Sequence, residues 1–340
     1  MRGFHVNWTR PFAVRAPGMP YAVEPFELLT TALSALFWRR ENGSICMVCD
    51  SRAAEYYASL GLDFLWDDGL HPLLDAMPDD INATAFWAAG KLYAVAAMKA
   101  PCVMLDTDLI CWKNIDALLN GADAAAIHRE DIIPSIYPGK AAFSRSNGFD
   151  FDAFDWSVQP LNTALCSFSD DDFRRFYADT AIRFMRSAPQ ADDTLTYMVF
   201  AEQRLLAMCA EKAHIRIRAL SDLPSLFSGA QNGYFYMSGA SSSRCVKIRR
   251  SMRTSAAAAP QGCAAISPPR PKKSHASPRS AYFLTKTKHR DDNDRSVLCY
   301  ICFHFSASTK SARRSVASGC ATAFIVWRTV SRRTGLVNSS

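Results

Sequence analysis

A short apolar strand that ends in two carboxylates constrains this chain more than any other feature. Residues 101–114 read PCVMLDTDLICWKN, and the apolar run Cys102–Leu105 leads directly into Asp106 and Asp108. A run of this kind is typical of a buried strand in a parallel sheet. Ligands of open α/β sheets bind in the crevice beyond the carboxyl ends of the strands. The sequence therefore predicts that both carboxylates lie at a ligand site.

Asp106 and Asp108 together predict a site for a divalent cation. Two residues apart on an extended backbone, their side chains point to the same side, and like charges so close require a cation nearby. Oxygen ligands alone favour Mg²⁺ or Mn²⁺, which usually also bind substrate phosphates. The alternative is that one aspartate caps the next helix and the other is solvated, which is the commoner meaning of an isolated Asp-x-Asp. The buried strand before the motif favours the metal site.

The charges divide the chain of 340 residues near residue 240. Residues 1–240 contain 20 Lys and Arg against 29 Asp and Glu, whereas residues 241–340 contain 19 against 3, so the net charge of +7 averages two unlike regions. The second region is rich in Ser, Ala and Arg and can bury little apolar surface. We therefore expect a folded domain over 1–240, long enough for a full core, and a basic tail over 241–340 that is disordered or non-native.

The cysteines and the apolar runs indicate a compartment. No apolar leader opens the chain, and no apolar run approaches the ~20 residues of a membrane-spanning helix. With eleven cysteines, we expect a soluble protein of the reducing cytoplasm. Cys46-x-x-Cys49 and Cys299-x-x-Cys302 could form halves of a zinc site, but they lie too far apart in the chain for a zinc ribbon. Buried structural thiols are the favoured interpretation.

Strand and helix patterns alternate through the first 240 residues. Candidate strands lie at 4–9, 44–49, 102–105 and 122–129, and candidate helices at 23–40, 52–61, 81–99, 170–186 and 194–210. This alternation is typical of parallel βαβ units and predicts a three-layer α/β domain. Neither G-x-G-x-x-G after the first strand nor a P-loop pattern is present, so the sequence supports neither a dinucleotide-binding fold nor a P-loop.

Two charged residues interrupt otherwise apolar helix faces. Lys91 lies in the helix before the carboxylate strand, where it either extends along apolar surface to water or reaches the crevice and offsets phosphate charge. Glu202 lies within the apolar stripe of the last helix, where a carboxylate must be paired, hydrogen-bonded or protonated. A structural pairing and a site role stay open for Glu202. By contrast, the acidic triplet Asp170–Asp172, with Ser169 as its cap, is typical of a helix start and not of a metal cluster.

Residues 1–240 resemble a metal-dependent glycosyltransferase domain of the GT-A type, and in particular an uncharacterised bacterial family of glycosyltransferase-like proteins. The resemblance rests on FHVNWTRPF, on a strand ending in Asp50, and on FWAAGKLYAVAAMKAPCVMLDTDLICWKN, PLNTALCSF and FAEQRLLAM. It implies a three-layer α/β/α fold with a mostly parallel central sheet. It also implies transfer of a sugar from a nucleoside-diphosphate donor to a hydroxyl group of an unknown glycan, lipid or protein.

The resemblance also implies roles for individual residues. Asp106 and Asp108 would hold Mn²⁺ or Mg²⁺ on the diphosphate, and Asn162 would line the acceptor side. Trp8, Thr9 and Asp50 would line the nucleotide. GT-A enzymes commonly add a third ligand, often a His followed by Gly and Lys, from a segment after the final helix. Here the pattern ends near 233–241, and the three later candidates have no such context: His275, His289 and His304.

The expected mechanism is electrostatic. The metal and Lys91 stabilise charge on the diphosphate leaving group while an acceptor hydroxyl attacks the sugar. Glu202 is the candidate for positioning the acceptor or accepting its proton. The alternatives are a catalytically inactive module that binds nucleotide sugars and, third in order, a polyanion binder that uses the basic tail. A nucleic-acid partner is not expected, because the tail lacks the interleaved aromatic residues of a single-strand binder.

Overall fold

A computed structural model of the chain describes residues 1–228 and 234–237 and the three strands 283–290, 297–305 and 321–329. The chain divides into two compact units, Met1–Ser241 and Ser242–Ser340. In the second unit the described strands form an antiparallel sheet. The rest of the predicted basic tail lies outside the described residues.

The described residues form twelve strands, and those of the first unit alternate with helices. They are β1 (Arg2–Asn7), β2 (Ile45–Cys49), β3 (Leu70–His71), β4 (Cys102–Leu105), β5 (Leu109–Cys111), β6 (Ala124–Ala126), β7 (Leu165–Phe168), β8 (Ile217–Ala219), β9 (Phe235–Met237), β10 (Phe283–Arg290), β11 (Val297–Phe305) and β12 (Ala321–Thr329).

The helices of the described residues lie in the first unit. They are α1 (Arg10–Arg15), α2 (Pro25–Glu41), α3 (Ser51–Ser59), α4 (Ala89–Ala97), α5 (Asp116–Leu119), α6 (Asp171–Ser187), α7 (Thr196–Val199), α8 (Leu205–Lys212) and α9 (Leu223–Ser228). A π-helix, Phe200–Arg204, joins α7 to α8. Among the residues described, no helix has the length and apolar character needed to cross a membrane.

The central sheet is mixed and mostly parallel. Its seven strands follow the order β3-β2-β1-β4-β7-β6-β8. The first four are parallel to one another, β7 is antiparallel to both β4 and β6, and β8 is parallel to β6. β5 and β9 form a separate antiparallel pair. The predicted α/β class with a mostly parallel sheet is confirmed.

Helices cover both faces of this sheet. On one face, α4, α6 and α8 share a core with side chains of the strands, including Phe4, Met104 and Phe168. On the other face, α2 places Trp38 against Gly3, where an added Cβ would lie only 2.4 Å from Trp38 Nε1. A glycine on β1 therefore lets the helix approach the sheet. The chain has the three-layer α/β/α fold that the sequence predicts.

Two helix starts differ from the prediction. The helix expected over 81–99 is wrong for its first turns, since α4 begins at Ala89. Asn82 explains the difference, because its Oδ1 accepts from the main-chain N of Thr84 and of Ala85 and holds this segment in turns. At α6 the cap is Asp170 and not Ser169, since Asp170 Oδ1 accepts from the main-chain N of Phe173 at 2.6 Å.

The thiols of the first cysteine pair are buried. Cys46 and Cys49 lie on β2 as free cysteines, and burial raises their pKa to about 11 and about 12 respectively. Thiols that stay protonated are poor metal ligands and poor nucleophiles. The interpretation of this pair as structural agrees with its position. Cys299 and Cys302 lie on β11, in the second unit.

Candidate functional site

Asp106 and Asp108 lie in a tight turn between β4 and β5. The main-chain N of Asp106 donates to Ala164 O at 2.7 Å, and the main-chain N of Leu109 donates to Asp106 O at 3.0 Å, which closes the turn. The sequence predicts an extended backbone at Asp106 and Asp108, and this prediction is wrong. The chain turns at this point, leaves the central sheet and continues as β5, which pairs with β9. The turn still lies at the carboxyl end of β4.

Lys91 brings two of the singled-out carboxylates together. Its Nζ lies 2.6 Å from Asp106 Oδ1 and 2.8 Å from Glu202 Oε1. The exposed fractions of the three side chains are 19% for Lys91, 25% for Asp106 and 5% for Glu202. Of the two positions that the sequence leaves open for Lys91, the amine therefore occupies the one beside the carboxylates at the end of β4.

Glu202 is held from three directions. Besides the contact with Lys91, its Oε1 accepts a hydrogen bond from Thr163 Oγ1 at 2.7 Å, and its main-chain O accepts one from the Tyr177 hydroxyl at 2.7 Å. The helix predicted as continuous over 194–210 is interrupted by the π-helix that contains Glu202. Single π turns within α-helices are frequent at functional sites. The carboxylate is thus fixed in position.

The site contains more acidic than basic groups. Burial alone would lower the pKa of Lys91, but the adjacent Asp106 and Glu202 outweigh burial and raise it. Burial raises the pKa of Asp106 to about 6; Lys91 opposes this shift, and Glu202 and Asp108 add to it. Lys91 and Asp106 are therefore both charged at pH 7. Asp106 and Glu202 share this one ammonium group, and Asp108 lies in the same turn as Asp106, so acidic side chains outnumber the basic one in a way that suits a divalent cation.

The donor atoms fit such a cation. Asp106 Oδ1 is buried and, among the described residues, accepts no aligned hydrogen bond in spite of its contact with Lys91. This oxygen already faces one cation, the Lys91 ammonium group at 2.6 Å, and a divalent cation would take the place of that contact. With Asp108 in the same turn, the donors are oxygens, as Mg²⁺ and Mn²⁺ prefer. The segment after the final helix, from which the resemblance implies a third ligand, lies only partly within the described residues.

Asp50 and Thr9 meet where β1 and β2 end. The main-chain N and the hydroxyl of Thr9 donate to Asp50 Oδ2 at 2.6 and 2.9 Å, and Asp50 Oδ1 accepts from the main-chain N of Ala53 at 2.9 Å. The Asp50 carboxylate therefore caps α3 and ties it to the segment after β1. Both residues lie at the carboxyl edge of the sheet, and their polar atoms bond to each other.

Trp8 packs against α4 at Gly90, the residue that precedes Lys91 in the sequence. A Cβ added at Gly90 would lie 2.7 Å from Trp8 Cβ and 3.2 Å from Leu74 Cδ1. The Arg10 guanidinium lies 5.4 Å from the centre of the Trp8 ring. The glycine thus lets the partly buried Trp8 reach the helix at the residue that precedes Lys91.

Asn162 belongs to a second polar group at the same edge. Its Nδ2 donates to Glu130 Oε1 at 3.3 Å, and its main-chain N donates to His128 O at 2.9 Å. His128 Nε2 lies 3.6 Å from Glu130 Oε1. The sequence pattern does not single out His128 or Glu130, although they follow the apolar strand β6 as Asp106 follows β4. Thr163, the neighbour of Asn162, connects this group to Glu202.

A third group of ligand-type side chains lies between β2 and β3. Atoms of Cys46, Asp68 and His71 lie within 4.8 Å of one another. Arg2 already contacts Asp68 Oδ2 at 2.5 Å, and His71 Nε2 donates to Asp68 O at 2.6 Å. This group is therefore a weaker candidate for a cation than the turn after β4.

Comparisons with known proteins give matches among solved structures. No protein-family model and no curated protein matches the chain. It is similar to an active-site mutant of LgtC, with 10% identity and a TM-score of 0.31 over 59% of this chain and 69% of that chain. It is also similar to the apo form of mouse xyloside xylosyltransferase 1, with 14% identity and a TM-score of 0.28 over 63% and 76%. At these values neither similarity assigns an activity to this chain.

Proposed function

We propose that this chain transfers a sugar from a nucleoside-diphosphate donor to a hydroxyl group, with Asp106 and Asp108 binding Mn²⁺ or Mg²⁺ at the diphosphate. The group formed by Lys91, Asp106 and Glu202 is the observation that supports this most. A structural ion pair needs one acid and one base, whereas here a partly buried lysine faces two carboxylates with a third in the same turn. An excess of oxygen donors at the end of a parallel strand suits a metal and a phosphate ligand.

The residues of the chain would act mainly by charge. A bound divalent cation supplies positive charge that stabilises a diphosphate leaving group. Lys91 adds a second positive charge at the same place, since its Nζ is already within 2.6 Å of Asp106. Charges that are fixed before the reaction cost no reorganisation when the leaving group departs. Lys91 is therefore proposed to bind the diphosphate.

Glu202 is proposed to position the acceptor or to accept the proton of its hydroxyl. Its 5% exposed side chain is fixed by Lys91 and Thr163. A fixed carboxylate orients a reacting group without further loss of entropy. The side chain lies beside the turn that is proposed to hold the donor, so an acceptor hydroxyl next to Glu202 would also be close to the donor.

The remaining candidates are proposed to bind the two substrates. The partly buried Trp8 ring, with the Arg10 guanidinium beside it, is proposed to stack on the nucleotide base, next to Thr9 and Asp50 at the carboxyl edge of the sheet. On the acceptor side, Asn162 and Glu130 offer an amide and a carboxylate to hydroxyl groups. Hydroxyl groups of a glycan both donate and accept hydrogen bonds.

An inactive module that binds nucleotide sugars is the second candidate. It is supported by the described residues, since within them the turn after β4 offers only Asp106 and Asp108 as metal ligands. Release of UDP or GDP from a panel of nucleotide sugars, with glycan, lipid and peptide acceptors, separates the two candidates. An enzyme releases nucleotide faster when its acceptor is present, whereas the module binds the donor and releases none.

Calorimetric titration tests the shared part of both candidates. UDP and GDP are titrated into the full chain with and without Mn²⁺, and into the variants Asp108→Ala and Asp179→Ala. Asp179 is an exposed aspartate on α6 and serves as the matched control. We expect binding that needs Mn²⁺, is lost in Asp108→Ala and is unchanged in Asp179→Ala. Equal binding without Mn²⁺, or binding retained by Asp108→Ala, would contradict the proposed metal site.

A further inference from the structure

The proposed metal site already contains a cation, the Lys91 ammonium group. We propose that Lys91 occupies the cation position of Asp106 until a diphosphate arrives, so that the divalent metal binds together with the diphosphate and not alone. This inference rests on the proposed function. It assigns Lys91 a second role, which is to keep the free protein from binding divalent metal.

The short distance between Lys91 and Asp106 means that a metal and the ammonium group would compete for the same oxygen. Lys91 Nζ lies 2.6 Å from Asp106 Oδ1. A metal on the same oxygen, with a bond of about 2.1 Å, would lie at most about 4.7 Å from Nζ. A divalent and a monovalent cation at that separation repel each other strongly in a partly buried site. The metal and the ammonium group therefore compete for Asp106.

The surroundings of Glu202 hold Lys91 in place. Thr163 and Tyr177 fix this glutamate, and its Oε1 lies 2.8 Å from Lys91 Nζ. If Lys91 moved out to water, the nearly buried Glu202 would lose the one cationic partner that it has among the described residues, and an uncompensated buried charge is costly. Metal alone therefore cannot easily displace the lysine.

A diphosphate changes this balance. Its anionic oxygens can accept hydrogen bonds from the ammonium group in place of Asp106. Lys91 would then keep its contact with Glu202 and exchange only one carboxylate for phosphate oxygens. Asp106 becomes available to the metal at the same moment. Binding of metal and diphosphate is thus coupled through one lysine.

The test is the binding of Mn²⁺ alone. Mn²⁺ is titrated into the full chain and into Lys91→Met and Lys99→Met, with and without UDP or GDP, and free Mn²⁺ is followed by electron paramagnetic resonance. Lys99 is exposed just beyond the same helix, so its variant makes the same charge change outside the site. We expect Lys91→Met to bind Mn²⁺ alone about tenfold more tightly or better than the unmodified chain, and Lys99→Met to behave as the unmodified chain does.

A second variant guards against misfolding. Lys91→Met leaves two carboxylates without their cation, so Lys91→Met combined with Glu202→Gln removes one charge of each sign and leaves Asp106 and Asp108 in place. The unmodified chain gives an independent result that needs no variant. If it binds Mn²⁺ alone as tightly as it does with UDP or GDP, the inference is wrong.

The inference and the proposed function fail in different ways. Metal-dependent nucleotide binding by the unmodified chain, with no gain in Mn²⁺ affinity in a folded Lys91→Met or double variant, overturns the inference and leaves the proposed function. Absence of nucleotide binding under every condition overturns the proposed function and, with it, the coupling.

Discussion

Replacing Gly90 with alanine should destabilise the protein, although alanine is the better helix former. Gly90 is the second residue of α4 and is buried. An added Cβ would lie 2.7 Å from Trp8 Cβ and 3.2 Å from Leu74 Cδ1. The Trp8 atom is the base of its side chain and cannot rotate away, so either the main chain after β1 or the start of α4 has to move.

The expected magnitude follows from two opposing contributions. Alanine gains at most about 1 kcal/mol over glycine from helix propensity. Overpacking of a well-filled site costs about 1–3 kcal/mol. We therefore expect Gly90→Ala to lower the free energy of unfolding by up to about 2 kcal/mol.

Gly139→Ala is the matched control. Gly139 is exposed, has a φ of −72°, and has no atom within 4 Å of an added Cβ. Alanine at such a position stabilises by about 0.4–1 kcal/mol, because it restricts the unfolded chain. The two glycine variants should therefore shift stability in opposite directions.

Urea unfolding of the full chain and of both variants measures the difference, and titration with UDP or GDP shows whether Trp8 has moved. We expect weaker nucleotide binding in Gly90→Ala only. If Gly90→Ala were as stable as Gly139→Ala, the close packing of Trp8 on α4 would not be rigid, and the reasoning would be refuted.

Three further predictions concern the site and the core. Thr163→Val should lower the free energy of unfolding by about 1–3 kcal/mol, because it removes the hydroxyl donor to Glu202, whereas Thr163→Ser should retain most of the stability in urea unfolding. Glu202→Gln should lower turnover more than donor affinity in steady-state kinetics and calorimetry, and unchanged turnover would remove Glu202 from the mechanism. Burial lowers the pKa of His5 to about 3, so below pH about 6.5 the unfolded chain binds a proton that the folded chain excludes. Stability should therefore fall as the pH falls from about 6.5 towards 3, and thermal unfolding at several pH values should show a smaller fall in His5→Asn; equal slopes would contradict the assignment.

The candidate site could be predicted as far as its chemistry is local. Asp106 and Asp108 follow an apolar strand, and Lys91 and Glu202 stand out because a charge within an apolar helix face needs a partner. Each of these observations depends on a few neighbouring residues. The alternation of strands and helices predicts the α/β class by the same local logic.

The sequence did not predict which residues these side chains contact. Lys91 and Glu202 are 111 positions apart, and no local pattern indicates which acid meets which base. Asn162, His128 and Glu130 meet because β7 runs antiparallel to β6, an arrangement that alternation of elements does not predict. The turn at Asp106 arises because β5 leaves the sheet to pair with β9, a pairing between distant segments.

The sequence by itself determined the α/β class, the carboxylate strand and the identity of the charged residues that need partners, because burial of apolar surface and the high cost of burying charge depend on residue type and spacing. Only the tertiary structure decided that one ammonium group lies between Asp106 and Glu202, and that Gly90 brings Trp8 to the same helix. These contacts join segments that only the strand order of the sheet brings together, and their distances decide how strongly the charges interact.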